Sequence, residues 1–339
     1  MTWLGARSAH HGGVHLELAE HALLFSVKHT AGDHELDKVD ALRAGGGGNP
    51  LTRKPHRSAK APRTRVAKLR RIALTRLCGI PREEHHVKQL NEKVAIVTGA
   101  GQGIGKGIAL CLAKRGVKVV CTGRREAPIQ QTVAEIEELG GQGLAMTCDS
   151  ADRARVEEVV KAAVDTFGSI DVIVNNGQAI VPSAPVEDTT YENMLAAWQS
   201  GTIGSLNYMQ AAFPYMKEQH EGRIINFASA TGMFGIAGQL AYGSNKEALR
   251  GLTKIAAKEW GQYGICVNVV LPGAESPAAK AWAEKFPEEY KKQVMLNPMH
   301  RFGDPEDDIA PVVAFLAGPD SCYYSGQSVI VDGANSIMP

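Results

Sequence analysis

The sequence predicts an α/β fold: a doubly wound parallel sheet in three α/β/α layers, built as a single domain. Three observations predict it. After Asn91, short β-branched runs alternate with stretches whose apolar residues recur at helical spacing. The runs are apolar nearly throughout, as strands covered on both faces must be. The first run passes directly into a glycine-rich turn that opens a helical stretch.

In order, the strands are read as Lys93–Thr98, Val117–Thr122, Gly143–Thr147, Ile170–Val174, Arg223–Ala228, Ile265–Val270 and Ser328–Val331, all as buried strands. Between them, Ile104–Arg115, Pro128–Leu139, Arg153–Phe167, Tyr191–Gln219, Leu240–Gln262 and Glu306–Ala317 read as helices. Right-handed crossovers place these helices on both faces and any ligand at the carboxyl ends of the strands. The segment Ala274–Pro298, with Trp282, Phe286 and Met295, reads as an amphipathic substrate lid or as a helix packed on the core. No internal repeat is visible.

Composition narrows the function. The 339 residues carry a formal net charge of +1 with 44% hydrophobic residues, so nothing global points to nucleic acid or to a membrane surface. The mean hides a split, because residues 1–86 have 15 Lys and Arg against 8 Asp and Glu, and nine of the eleven histidines. Six cysteines (Cys78, Cys111, Cys121, Cys148, Cys266, Cys322) are scattered without a C-x-x-C pair, which fits neither a zinc ribbon nor a disulfide framework. No apolar run approaches the ~18 residues of a membrane span. Leu16–Val27 is broken by Glu17, Glu20 and His21, unlike a secretory leader. The expected compartment is the cytoplasm, with no metal, no membrane and no nucleic-acid partner.

Residues 1–86 read as a disordered or non-native basic extension ahead of a catalytic domain over 87–339. Gly45–Gly48 is a flexible run, and Arg53–Arg76 carries ten Lys or Arg with no acid, interrupted by Pro55 and Pro62. Three readings compete: a basic arm for an anionic partner or an organelle leader, a metal site from His10, His11 and His15, and a bland extension. The metal site lacks a completing Cys or carboxylate. The bland reading is preferred, and it includes upstream sequence translated from a misplaced start, with Val87 the true initiator if its codon is GTG.

The first strand ends in Thr98-Gly99-Ala100-Gly101-Gln102-Gly103-Ile104-Gly105. Between strand and helix, such glycines let the backbone approach a pyrophosphate and turn the helix N-terminus toward the anion. Gly99, Gln102, Gly103, Ile104 and Gly105 are therefore the expected phosphate cradle of a dinucleotide. The second strand closes in Cys121-Thr122-Gly123-Arg124-Arg125, with no acid to hold a ribose 2′-hydroxyl. Arg124 suits a 2′-phosphate, which makes NADP(H) the preferred cofactor and leaves NAD(H) open. Asp149, closing the third strand, is read as an acceptor for the adenine amino group, or as a helix N-terminal acid.

Tyr242-Gly243-Ser244-Asn245-Lys246 places a phenol and an ammonium four residues apart on one helix face. A neighbouring ammonium favours the phenolate and brings a phenol toward the working range of a general acid/base. Ser229 ends a strand at the carboxyl edge of the sheet, where a hydroxyl can stabilise charge on a substrate oxygen; its alternative is a helix or turn cap.

Together, Thr98–Gly105, Asp149, Asn175-Asn176, Ser229, Tyr242, Lys246 and Pro272-Gly273 resemble the short-chain dehydrogenase/reductase family in order and spacing. So do Arg301-Phe302-Gly303-Asp304-Pro305-Glu306 and Asp332-Gly333. The resemblance covers about residues 91–334. It implies a Rossmann-type fold, a homotetramer or homodimer, and hydride transfer between a nicotinamide and a secondary alcohol or ketone. It implies Tyr242 as general acid/base, Lys246 lowering its pKa and holding the nicotinamide ribose, and Ser229 orienting the carbonyl. Asn176 joins the cofactor-binding residues, as do Tyr242 and Lys246.

Two departures stand out. The family's Asn-Asn-Ala-Gly is Asn175-Asn176-Gly177-Gln178 here, and its fourth catalytic residue, an asparagine, falls at Gly201. In the family that asparagine's main-chain carbonyl binds a water leading to the lysine; glycine keeps the carbonyl. The defended catalytic set is the triad Ser229, Tyr242 and Lys246. Both departures, with Asn226–Ser229 and Glu259-Trp260-Gly261, are similar to a bacterial branch of hydroxysteroid dehydrogenases. The alternatives are a 3-oxoacyl thioester reductase on the same triad and a catalytically silent cofactor-binding regulator.

Overall fold

The strands are β1 (Val94–Thr98), β2 (Lys118–Gly123), β3 (Gly143–Thr147), β4 (Val172–Asn175), β5 (Gly222–Phe227), β6 (Ile265–Pro272) and β7 (Ser328–Val331). They pair in parallel into one sheet of order β3-β2-β1-β4-β5-β6-β7. This computed structural model describes residues 90–275, 280 and 283–337. The basic extension, Val87 and the histidines at 10, 11 and 15 lie outside the described residues.

The helices are α1 (Gly103–Ala113), α2 (Glu126–Glu138), α3 (Arg153–Phe167), α4 (Tyr191–Trp198), α5 (Gly204–Gln219), α6 (Ala230–Phe234), α7 (Leu240–Trp260), α8 (Pro287–Leu296) and α9 (Ala310–Ala317). Strand alternation divides the core in two. Val94 and Ile96 point to one face, packing in a cluster with Val156 and Val159 of α3, Tyr208 and Met216 of α5 and Ala256 of α7. Ala95 and Val97 point to the other, with Ile108 and Leu112 of α1, Ile129 and Ile136 of α2 and Val313 of α9. Each large side chain buried fully there contributes roughly 1.5–3 kcal/mol. The three expected layers follow.

The edges differ from expectation. β3 and β7 are half-buried, because each has a neighbour on one side only. The predicted helix Tyr191–Gln219 is interrupted by a π turn at Gln199–Ile203. One helix was not anticipated, α6, while α8 lies within the segment read as a lid or as a helix packed on the core. Of that lid, 276–279, 281 and Trp282 lie outside the described residues, while Phe286 and Met295 are exposed. Tyr290 of α8 donates to Glu275 at 2.5 Å, tying the helix back toward the end of β6.

The Arg301–Glu306 signature builds the start of α9. Asp304 accepts from the amides of Glu306 and Asp307 at 2.7 and 2.9 Å, and Arg301 forks onto Asp308. At Gly107 of α1, a Cβ would lie 2.8 Å from the Glu306 amide, so the two segments meet backbone to backbone. The sheet order reverses between β1 and β4, and a crevice opens there at the strands' carboxyl ends.

Candidate active site

The crevice is a cleft of about 540 Å³ lined by the β1–α1 turn, the ends of β2 and β3, and the residues after β4. Gly99 and Gly103 sit at φ +67° and +54°, where a side chain is strained. A Cβ on Gly105 would overlap the Gly99 carbonyl and lie 2.6 Å from Asn176 Nδ2. The turn is also held from behind. Asn176 donates to the Thr98 carbonyl at 3.0 Å, and the amides of Asn176 and Gly177 donate to Thr98 Oγ1 at 3.0 and 2.8 Å.

No side chain caps α1 and no acid lies in its first turn, so its amides and positive end face the cleft. That cradle, its volume and its lack of competing acids fit a dinucleotide. Gln102, Gly103 and Ile104 line it, with Arg124, Asp149 and Asn176. Arg124 is exposed, and Arg125 reaches back to Gln102 at 2.8 Å across the mouth. Asp149 accepts from the Ala151 amide at 3.0 Å, whereas the cap of α3 is Asp152. Asp149 therefore lies just ahead of α3, three residues before its cap.

Ser229 ends β5's extension and caps α6, accepting from the Thr231 amide at 3.1 Å. The cap does not occupy it fully, since its hydroxyl also faces Tyr242 and pulls that phenol's pKa down. Burial pushes the same phenol above its ordinary value and is the larger effect. Lys246 is 4% exposed, and desolvation lowers it from 10.5 to about 7. Its Nζ donates to the Phe227 carbonyl at 2.7 Å and lies 5.6 Å from the centroid of the Tyr242 ring. Among the described residues, the Phe227 carbonyl is the hydrogen-bond acceptor found for Nζ, so burial disfavours the charged form.

Several residues gathered here were missed in the sequence. Asn245, fully buried, accepts from the Thr202 amide and hydroxyl at 2.8 and 2.7 Å and donates to Gln178 at 2.9 Å. Under the site, Asn175 donates to Asn226 and Asn226 to Thr253, both at 2.9 Å. Asn245 stands inside the Tyr242–Lys246 pentapeptide, but only its neighbours carried a recognisable spacing.

A family profile described as enoyl-(acyl carrier protein) reductase matches residues 99–334. A 12alpha-hydroxysteroid dehydrogenase from Clostridium sp. is 40% identical over 254 residues, 73% of this chain and 98% of the relative. The chain belongs to the short-chain dehydrogenase/reductase family. A 3-oxoacyl-[acyl-carrier-protein] reductase of Thermotoga maritima is 36% identical over 247 residues, 72% of this chain and 98% of that protein. An NAD+-bound xylitol dehydrogenase superposes with a TM-score of 0.68 at 30% identity, covering 72% of this chain and 99% of its own. As a short-chain dehydrogenase/reductase the protein is a nicotinamide-dependent oxidoreductase of alcohol and ketone groups.

Within that family frame the departure at Gly201 has a steric cause. A Cβ there would overlap the Asn245 amide and lie 2.5 Å from Gln178 Oε1. Among the described residues, no cluster of three or more His, Cys, Asp or Glu could hold a metal, and no helix is long and apolar enough to cross a membrane.

Proposed function

We propose that this chain interconverts a bulky secondary alcohol and its ketone, of the hydroxysteroid class, using NADP(H). The observation that carries the reading is the gathering of Ser229, Tyr242 and a buried Lys246 beside a cleft built for a dinucleotide. When bound, the nicotinamide supplies or accepts the hydride. In ketone reduction Tyr242, kept protonated by burial, gives its proton to the substrate oxygen while the Ser229 hydroxyl donates to that oxygen. Lys246, where it carries its proton at pH ~7, stabilises the phenolate left behind.

The exposed Arg124 guanidinium on the cleft wall supports NADP(H) over NAD(H). Asp149 faces the same wall and would accept from the adenine amino group. The hydroxysteroid class rests on the 40% identical relative and on an apolar rim after β4 and around α6, where Ile180, Phe234 and Ile236 are exposed. The 36% identical acyl-carrier-protein reductase supports a 3-oxoacyl thioester as the second reading. Exposed Ile255, Phe315 and Tyr324 on the outer faces support a homotetramer or homodimer, which sedimentation velocity decides. The five described cysteines are unpaired, in keeping with a cytoplasmic enzyme.

A panel of hydroxysteroids and 3-oxoacyl thioesters, followed by NADPH and NADH absorbance, tests the reading. Hydroxysteroid turnover that falls about 10²–10⁴-fold in Tyr242→Phe is expected. Turnover of thioesters alone would move the substrate to the second reading. Wild-type rates in the Phe variant would remove Tyr242 from the mechanism.

A further inference from the structure

We infer that Gln178 and Asn245 are a positioning pair, two side-chain amides spliced into a widened helical turn that hold the cofactor wall in register with the Tyr242–Lys246 helix. The inference rests on the proposed alcohol–ketone chemistry. Its evidence starts in the backbone. At the π turn Gln199–Ile203, the Gly204 amide bonds the carbonyl of Gln199, five residues back. Widening a helix by one residue leaves one N–H without a helical carbonyl, and an inserted side chain is a common way to satisfy it.

Within that turn, the Thr202 amide bonds Asn245 Oδ1 at 2.8 Å. Asn245 Nδ2 then donates to Gln178 Oε1 at 2.9 Å, and Gln178 Nε2 donates to the Ala197 carbonyl at 3.3 Å. Three bonds running in one sense thus join Thr202 to Ala197 through two side chains, where a π helix would use a single main-chain bond. Nothing larger than glycine fits at 201, because its missing side chain is the space the two amides occupy. The departures at Gln178 and Gly201 are therefore one device, with Asn245 as its third part.

The device touches both halves of the site. Gln178 lines the cleft, and Asn245 precedes Lys246 on the turn that carries Tyr242. Asn245 is fully enclosed, so its bonds are made in a poorly screened setting where a satisfied amide network is rigid. An aspartate at 245 would still accept from Thr202 but could not donate to Gln178. An alanine would do neither.

The test is a double-mutant cycle on the full chain, with Asn245→Ala, Gln178→Ala and the pair combined, and Asn245→Asp alongside. We expect kcat to fall about tenfold or more in Asn245→Ala while the ketone KM changes less than about threefold, because misplacement costs the chemical step. The combined variant should be no slower than the worse single one. The pH–rate profile should shift with Asn245→Ala, since Lys246 loses its enclosure. Independently of turnover, amide exchange across residues 199–204 should speed up in Asn245→Ala and stay slow in Asn245→Asp. NADPH affinity by fluorescence titration should fall non-additively in the two alanine variants.

Unchanged kcat and pH profile in Asn245→Ala, or losses that multiply in the combined variant, overturn the pair as a positioning device. If the wild type turns over no alcohol or ketone, the proposed function fails alone. In that case unchanged exchange across 199–204, or additive losses of NADPH affinity, still overturn the pair.

Discussion

Lys246→Met should make the nucleotide-free protein more stable, and by an amount that depends on pH. Lys246 has its pKa lowered from 10.5 to about 7 by burial. Between those values the unfolded chain holds a proton that the folded chain has released, so wild-type stability rises with pH across the window. Below about pH 7 the lysine is charged in both states, and the full penalty is present. At ~1.4 kcal/mol per pH unit, the fall from 10.5 to about 7 corresponds to a penalty on the order of 5 kcal/mol. Methionine matches the length of the stem and carries no charge, so it removes the penalty and forfeits only the Nζ bond to the Phe227 carbonyl, worth about 1 kcal/mol. Urea unfolding of both proteins at pH 6.5 and near pH 10 isolates the term, because other titrating groups cancel in the difference. The Met variant should lead by about 4 kcal/mol at the lower pH, and the lead should nearly vanish at the higher. A difference of the same size at both pH values would refute the reasoning, because the lysine would then keep an ordinary pKa in the fold.

Three further outcomes are expected. Gly201→Ala should lower stability by about 1–3 kcal/mol in thermal unfolding, since the overlap with Asn245 outweighs the helix propensity that alanine usually adds. Arg124→Ala should weaken NADPH binding by about tenfold and leave NADH nearly unchanged, measured by fluorescence titration. Ketone reduction needs the Tyr242 proton, and burial raises that phenol's pKa above 10.0. The reductive rate should therefore fall with the Lys246 proton near pH ~7 and show no further loss up to about pH 10, while alcohol oxidation climbs with pH; a second fall between about pH 8 and 10 would contradict the assignment.

Most of the sheet was legible because its interior strands are covered on both faces and so read as unbroken apolar runs. The phosphate turn was legible because only glycine tolerates its dihedrals at Gly99 and its contacts at Gly105. Tyr242 and Lys246 announced themselves by a spacing of four. The π turn did not, since Tyr191–Gln219 keeps its apolar spacing through the break and the widening is imposed by Asn245 from another helix. The direction of the pKa shifts was equally hidden. Sequence puts a cation beside a phenol, but only the packing around Nζ reveals that burial outweighs the attraction.

One set of buried polar groups gathers near the carboxyl ends of the strands. Thr98, Thr122, Asn175 and Asn226 lie at the carboxyl halves or ends of the four adjacent strands β2, β1, β4 and β5, and Asn245, Lys246 and Thr253 lie on the helix crossing above β5 and β6. Each such group costs free energy unless it finds a partner. Most do: Thr98 is saturated by the turn after β4, Asn226 by Asn175 and Thr253, and Asn245 by Thr202 and Gln178. Lys246 is the exception in charge, with a single carbonyl for its ammonium. The apolar clusters on both faces of the sheet carry the stability that tolerates it. On the proposed mechanism, that distribution places the buried lysine one helical turn from the tyrosine whose proton the reaction would use.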